Sequence, residues 1–155
     1  MPEIKRILVP IDFSEASTVG LKTAIDFAHD YNAELYVLHV YSDLMPVLSM
    51  RTLDLDEHSM EEIQKTEAME NIEAILSRFT FRVPVHKRIK KGVPSQEIIR
   101  VGDDIKADMI VIATHGRTGL SHVLIGSCAE RVVRTSSCPV LTVRSIPLPK
   151  TDNGS

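Results

Sequence analysis

Residues 109–119, Met109-Ile110-Val111-Ile112-Ala113-Thr114-His115-Gly116-Arg117-Thr118-Gly119, followed by Gly126-Ser127, hold the transition that decides the fold. An uninterrupted apolar run breaks into a glycine-bearing loop, and the loop closes on a Gly-Ser that opens a helix. Such a run suits a strand covered on both faces, as in a parallel sheet. Three of the chain's seven glycines fall between positions 116 and 126. A helix start carries unpaired N–H groups and a positive partial charge, and glycines let backbone come close to a ligand. Strand, glycine loop and helix start together form an anion-binding device, most often used for phosphate. The stretch points to a nucleotide.

Upstream, the same alternation repeats. Lys5 to Asp12, with Ile7-Leu8-Val9 and Ile11, reads as a first buried strand. Ser14 reads as an N-cap with Glu15 in the first turn. Ala16, Val19, Gly20, Thr23, Ala24, Phe27, Ala28 and Tyr31 recur at three- and four-residue steps and predict one apolar helix face. That helix ends at Asn32-Ala33, and Leu35 to Tyr41 is a second strand. Residues 42–56 lack a pattern and are expected to form a long loop over the sheet edge. From Glu57 onward Met60, Ile63, Ala68, Ile72, Ile75, Leu76 and Phe79 make a long amphipathic stripe.

Val83, Val85 and Ile89 follow with polar alternation, as expected of an edge strand. Gly92 starts a turn, and Pro94 fits the first turn of a helix whose Ile98, Ile99, Gly102 and Ile105 are expected inward. After Met109 to Ala113 come a fourth helix, Ser127 to Ser136, and a fifth strand, Pro139 to Arg144. Residues 147–155 read as a flexible tail behind a single domain over 1–146. The order β-α-β-α-β-α-β-α-β predicts an α/β, doubly wound parallel sheet with helices on both faces. Ligands of such sheets bind beyond the carboxyl ends of the strands, where the winding reverses. Asp12, Val40 and the loop after Ala113 all emerge at that rim.

Composition bounds the rest. The 155 residues are enough for one domain with a core, at 43% hydrophobic and 25% charged. A formal net charge of −3 argues against nucleic acid as a partner. No apolar run approaches the roughly 20 residues that cross a membrane, and the N-terminus enters a strand without the apolar core of a signal peptide. Two cysteines, Cys128 and Cys138, sit outside any metal-ligand pattern, so a cytoplasmic protein with reduced thiols is expected.

Ile7-Leu8-Val9-Pro10-Ile11-Asp12-Phe13-Ser14, Leu38-His39-Val40, Gly92-Val93-Pro94 with Glu97-Ile98-Ile99, Ala107 to Val111, and Gly126 to Val133 with Cys138 to Leu141 together resemble the universal stress protein family. The resemblance runs from about residue 3 to 145, with separated blocks agreeing in order. It implies a five-stranded parallel sheet of order 3-2-1-4-5. ATP-binding members carry a G-x2-G-x9-G-S/T pattern; here the second Gly is Gly116 and the closing pair is Gly126-Ser127. Ala113 stands at the first position. Its methyl fits if that residue has ordinary β geometry and opposes binding if left-handed geometry is required.

The resemblance further implies that Pro10 lines the base pocket, Val40 backbone reads the adenine edge and Asp12 meets the ribose. It places Gly116, Arg117, Gly119, Gly126 and the N–H groups of Ser127, Cys128 and Ala129 around a triphosphate, with Mg²⁺ bridging phosphate oxygens. It implies a homodimer through the last strand, Pro139 to Arg144. An ATP-binding regulatory or stress-response protein is therefore expected, at most a slow ATPase, since no P-loop lysine and no general base can be identified. The alternative is an interaction module of the same fold that binds no nucleotide. A receiver-like phosphorylation switch ranks last, because only Asp12 of its acidic cluster is present.

Each site residue has a plainer reading. Ser127-x-x-Glu130 is a capping-box sequence, and Asp12 can simply lead into the Ser14 cap. Arg117 either steers phosphate or lies in solvent. Cys128, with Val132 and Val133 in the next turn, reads as a packed, inert thiol, and Asp108 as a turn residue on the opposite rim. His39 is expected to be hydrogen-bonded in the core or at the rim; His29, His58 and His86 are expected exposed. His115 and His122 flank the phosphate loop, where they could contact a ligand, and the sequence does not identify what they pair with. Gly126→Val is expected to abolish nucleotide binding with the fold largely intact.

Overall fold

The computed structural model describes residues 3–42, 56–115 and 125–145. Its strands are β1 (Arg6–Pro10), β2 (Glu34–Tyr41), β3 (Val85–Lys91), β4 (Met109–Ala113) and β5 (Val140–Val143). Between them run helices α1 (Glu15–Tyr31), α2 (Glu57–Leu76), α3 (Pro94–Asp104) and α4 (Ser127–Thr135). The strands form one parallel sheet of order β3-β2-β1-β4-β5. The chain winds outward from β1 to β3, then returns to the other side of β1 with β4. The expected loop over 42–56 and the tail from 147 lie essentially outside the described residues, as do Gly116, Arg117, Gly119 and His122.

Helices cover both faces. Leu21, Ala24, Ile25 and Ala28 of α1 and Ile72, Ile75 and Leu76 of α2 close one core over Ile7, Val9, Leu35, Val37 and Val111. Ile98 and Val101 of α3 with Ala129 and Val132 of α4 close the other over Leu8, Leu38, Ile110 and Ile112. Ile7, Leu8 and Val9 are all fully buried, because alternate side chains of a central strand point into opposite cores. Full burial of each such side chain is worth about 1.5–3 kcal/mol.

Local chemistry sets the ends. Ser14 caps α1 by accepting the Ser17 N–H at 3.1 Å. Asn32 closes it in the left-handed region (φ 52°). Gly92, at φ +148°, turns β3 into α3 in a conformation that side chains resist, and Pro94 opens the helix. On the amino-terminal rim, Asp108 accepts the N–H groups of Lys5 and Arg6 at 2.8 and 2.9 Å, tying the entry of β4 to that of β1.

Several expectations shift. The buried face of α1 is Ser17, Gly20, Leu21, Ala24, Ile25 and Ala28, while Val19 and Tyr31 are 40% and 49% exposed. The sheet takes the face whose small residues let the helix come close. Ile63 is likewise exposed on α2, and Phe79 packs on the core from beyond that helix. On α3, Val101 is buried and Ile99 lies at the margin. His86 is part-buried: its Nε2 lies 2.9 Å from Glu34 and its ring stacks on Tyr36. His29 also has a partner, accepting the Arg82 N–H at 3.3 Å.

Candidate functional site

A cleft of about 310 Å³ opens beyond the carboxyl ends of β1, β2 and β4, at the point where the winding reverses. Pro10, Asp12, Val40, Ala113, Gly126, Ser127, Cys128 and Ala129 all line it. Gly116, Arg117 and Gly119 lie outside the described residues. The cleft also takes in Ser17, Pro94, Ile98, Ile112, Thr114 and His115. Of these only His115 stood out in the sequence, by its place beside the glycine loop; Ser17 and Thr114 carry no pattern that marks a site.

The β1 wall is a strained turn. Phe13 adopts φ +64°, uncommon for a bulky residue. Asp12 Oδ1 accepts the Ser14 N–H at 3.0 Å and the Ser14 hydroxyl at 2.5 Å. The Ser17 hydroxyl donates to Ser14 O at 3.0 Å and accepts the Asp12 N–H at 3.4 Å. The plain reading of Asp12, as the lead into a helix cap, is therefore realised, and the same bonds fix its carboxylate at the cleft wall.

The β4 wall is built on a close approach. The Gly126 N–H donates to Thr114 O at 2.5 Å, and a Cβ on Gly126 would sit 3.0 Å from that oxygen. Gly126 itself has φ −71° and ψ 159°. The glycine is thus required by proximity, not by its dihedral angles. Thr114 is buried, and its hydroxyl lies 3.0 Å from His115 Nδ1.

Gly126, not Ser127, is the N-cap of α4, and among the described residues no side chain caps the helix. The capping-box expectation fails because Ser127 is already the first helical residue and Glu130 pairs with Arg134 one turn on. Among the described residues no side chain accepts the N–H groups of Ser127, Cys128 or Ala129. They point toward the cleft with the positive end of the helix dipole.

Ala113 has ordinary strand geometry, in register with Val143. A Cβ placed on Gly20 would lie 3.7 Å from the Ala113 methyl, so that methyl packs against α1. Burial pushes the Cys128 thiol up from its ordinary pKa, and the Asp12 charge adds to the shift. It is a poor nucleophile at neutral pH. Among the described residues no group of three His, Cys, Asp or Glu side chains is placed to hold a metal ion.

The sequence profile of the Universal stress protein family matches residues 3–144. The chain belongs to that family. It is 36% identical to universal stress protein MJ0531 of Methanocaldococcus jannaschii over 144 residues, 90% of this chain and 82% of that protein. MJ0577 of the same organism is 32% identical by sequence, across 90% of this chain and 94% of that protein. The solved MJ0577 structure superposes with a TM-score of 0.80 and covers 95% of this chain and all of its own. A universal stress protein solved in complex with cAMP shares the fold at a TM-score of 0.63 and 22% identity, spanning 94% of this chain and all of its own.

Proposed function

We propose that this universal stress protein is an adenine-nucleotide-binding regulatory protein whose ligand is ATP with Mg²⁺. One observation carries the reading. A cleft walled by three strands at the sheet's reversal point receives a helix start that no side chain of the described residues caps, brought in by the Gly126–Thr114 backbone contact. The first part of that geometry suits a flat, mostly apolar base and the second suits phosphate.

In this reading Pro10 and Val40 border the base and Asp12 meets the ribose. The N–H groups of Ser127, Cys128 and Ala129 hold phosphate, together with Gly116, Arg117 and Gly119 of the loop. Mg²⁺, when bound, would be held by the nucleotide's phosphates and water and would supply charge neutralisation, as its preference for oxygen ligands allows. The Ala113 methyl, turned toward Gly20, leaves that approach open. A relative of the same fold in complex with cAMP supports the class of ligand. The reading includes at most slow hydrolysis, because the chain has no P-loop lysine.

The nucleotide-binding domain spans residues 1–146, in a cytoplasmic protein with Cys128 and Cys138 free. The outer edge of β5 joins a second copy through Pro139 to Arg144, which sedimentation at graded concentrations tests. Denaturing extraction of freshly purified protein, followed by mass spectrometry, and calorimetric titration with ATP, ADP and AMP test the ligand. Carried-along adenine nucleotide and saturable heat are expected. No heat and no competition at millimolar nucleotide would leave a protein-interaction module of this fold.

A further inference from the structure

We infer that His39 is a positioning residue: it takes the Ile11 carbonyl out of the β1–β2 ladder and so leaves the Val40 N–H available to a ligand. In a parallel ladder a residue donates its N–H to one neighbour and offers its carbonyl to the N–H two residues further along that partner strand. The Ile11 N–H donates to Leu38 O at 2.8 Å. The partner awaiting Ile11 O is therefore the N–H of Val40.

That bond is not made. The strand pairing stops at Pro10 opposite Leu38, and His39 Nδ1 donates to Ile11 O at 2.9 Å instead. A carbonyl has no proton to give, so Nδ1 carries it. The His39 ring also packs on Phe13, centroids 4.5 Å apart, at the residue held at φ +64°. One side chain thus opens the ladder at its last rung and braces the strained turn that carries Asp12. Val40 lines the same cleft as Asp12.

The inference rests on the adenine-nucleotide reading for its ligand, but its structural half is testable without one. His39→Leu removes the donor and frees Ile11 O to accept the Val40 N–H. His39→Asn keeps an N–H near the position of Nδ1. Amide hydrogen exchange resolved at Val40 is expected to be fast in the wild type and in His39→Asn, and slowed at least tenfold in His39→Leu. Titration with AMP is expected to show affinity lowered at least tenfold in His39→Leu and restored to within about threefold of wild type in His39→Asn.

A Val40 amide already protected in the unliganded wild type overturns the inference, and so does wild-type AMP affinity in His39→Leu. Should His39→Leu fail to fold, the wild type and His39→Asn still decide through Val40 exchange. A wild type that binds no adenine nucleotide while Val40 exchanges as expected overturns the ligand reading alone and leaves the ladder geometry standing.

Discussion

Gly126 and Thr114 meet through backbone, with the Gly126 nitrogen 2.5 Å from the Thr114 carbonyl oxygen and a Cβ on Gly126 set to lie 3.0 Å from that oxygen, tighter than ordinary contact. The contact joins the end of β4 to the start of α4. Gly126→Ala therefore has to displace one of two backbone segments. Affinity for ATP is expected to fall at least tenfold, with a stability loss of about 1–3 kcal/mol. At roughly 2–4 °C per kcal/mol for a chain this size, calorimetry sees it as a lower Tm. Unchanged affinity would remove the loop from the site. Gly126→Val presses more atoms on the same carbonyl, so it disturbs the fold as well as the cleft.

Asp12 and Cys128 face one cleft from different elements, and the carboxylate raises the thiol's pKa beyond what burial does. Alkylation of Cys128 by iodoacetamide is expected to be slower at pH 7.5 than that of a small free thiol, and to rise through a midpoint above the ordinary cysteine value. Removing the negative charge lowers the pKa and raises the thiolate fraction. Asp12→Asn, which keeps an oxygen for Ser14, is therefore expected to speed alkylation measurably at the same pH. A slower reaction would mean that the Asp12 charge does not reach the thiol.

The order of elements was legible because each strand is a short apolar run bounded by turn chemistry. Met109 to Ala113 and the Ser14 cap sit where the pattern placed them. The buried side of α1 was legible in part. Gly20, Ala24 and Ala28 of the expected stripe lie inward, whereas Val19 and Tyr31 face out and Leu21 and Ile25 are buried beside the small residues that let the helix come close to the sheet. The start of α4 at Ser127 was legible as well; only the alternative capping-box reading of Ser127-x-x-Glu130 fell, because Gly126, drawn to Thr114 by folding, is the N-cap. His39 read as a hydrogen-bonded residue of the core or the rim. That its ring replaces a ladder bond depends on Ile11 and Val40 meeting in space, which no local pattern encodes.

At the opposite rim, Asp108 gathers two backbone N–H groups, those of Lys5 and Arg6. Asp108→Ala leaves both without that acceptor where β1 enters the sheet. A loss of about 1–2 kcal/mol is expected by urea denaturation. Because the cleft lies at the other end of the strands, ATP affinity is expected to stay within about twofold of wild type. A large loss of binding without a loss of stability would contradict the assignment of the site to the carboxyl-terminal rim.

The sequence resemblance sets Ala113 at the first glycine of the ATP-binding pattern, and in the structure the residue lies against α1 opposite Gly20. If the methyl obstructed a nucleotide, Ala113→Gly would raise affinity several-fold. The geometry implies otherwise. The residue pairs as a regular strand position and has no left-handed dihedral that glycine would relieve. Deleting the methyl removes a contact with α1 and adds backbone freedom to the unfolded chain, at about 0.5–1 kcal/mol. Ala113→Gly is therefore expected to lower Tm by a few degrees while ATP affinity changes less than threefold, measured by calorimetry on the same preparation. A tenfold gain would place the methyl in the ligand's path and show that the wild-type cleft is partly closed at β4.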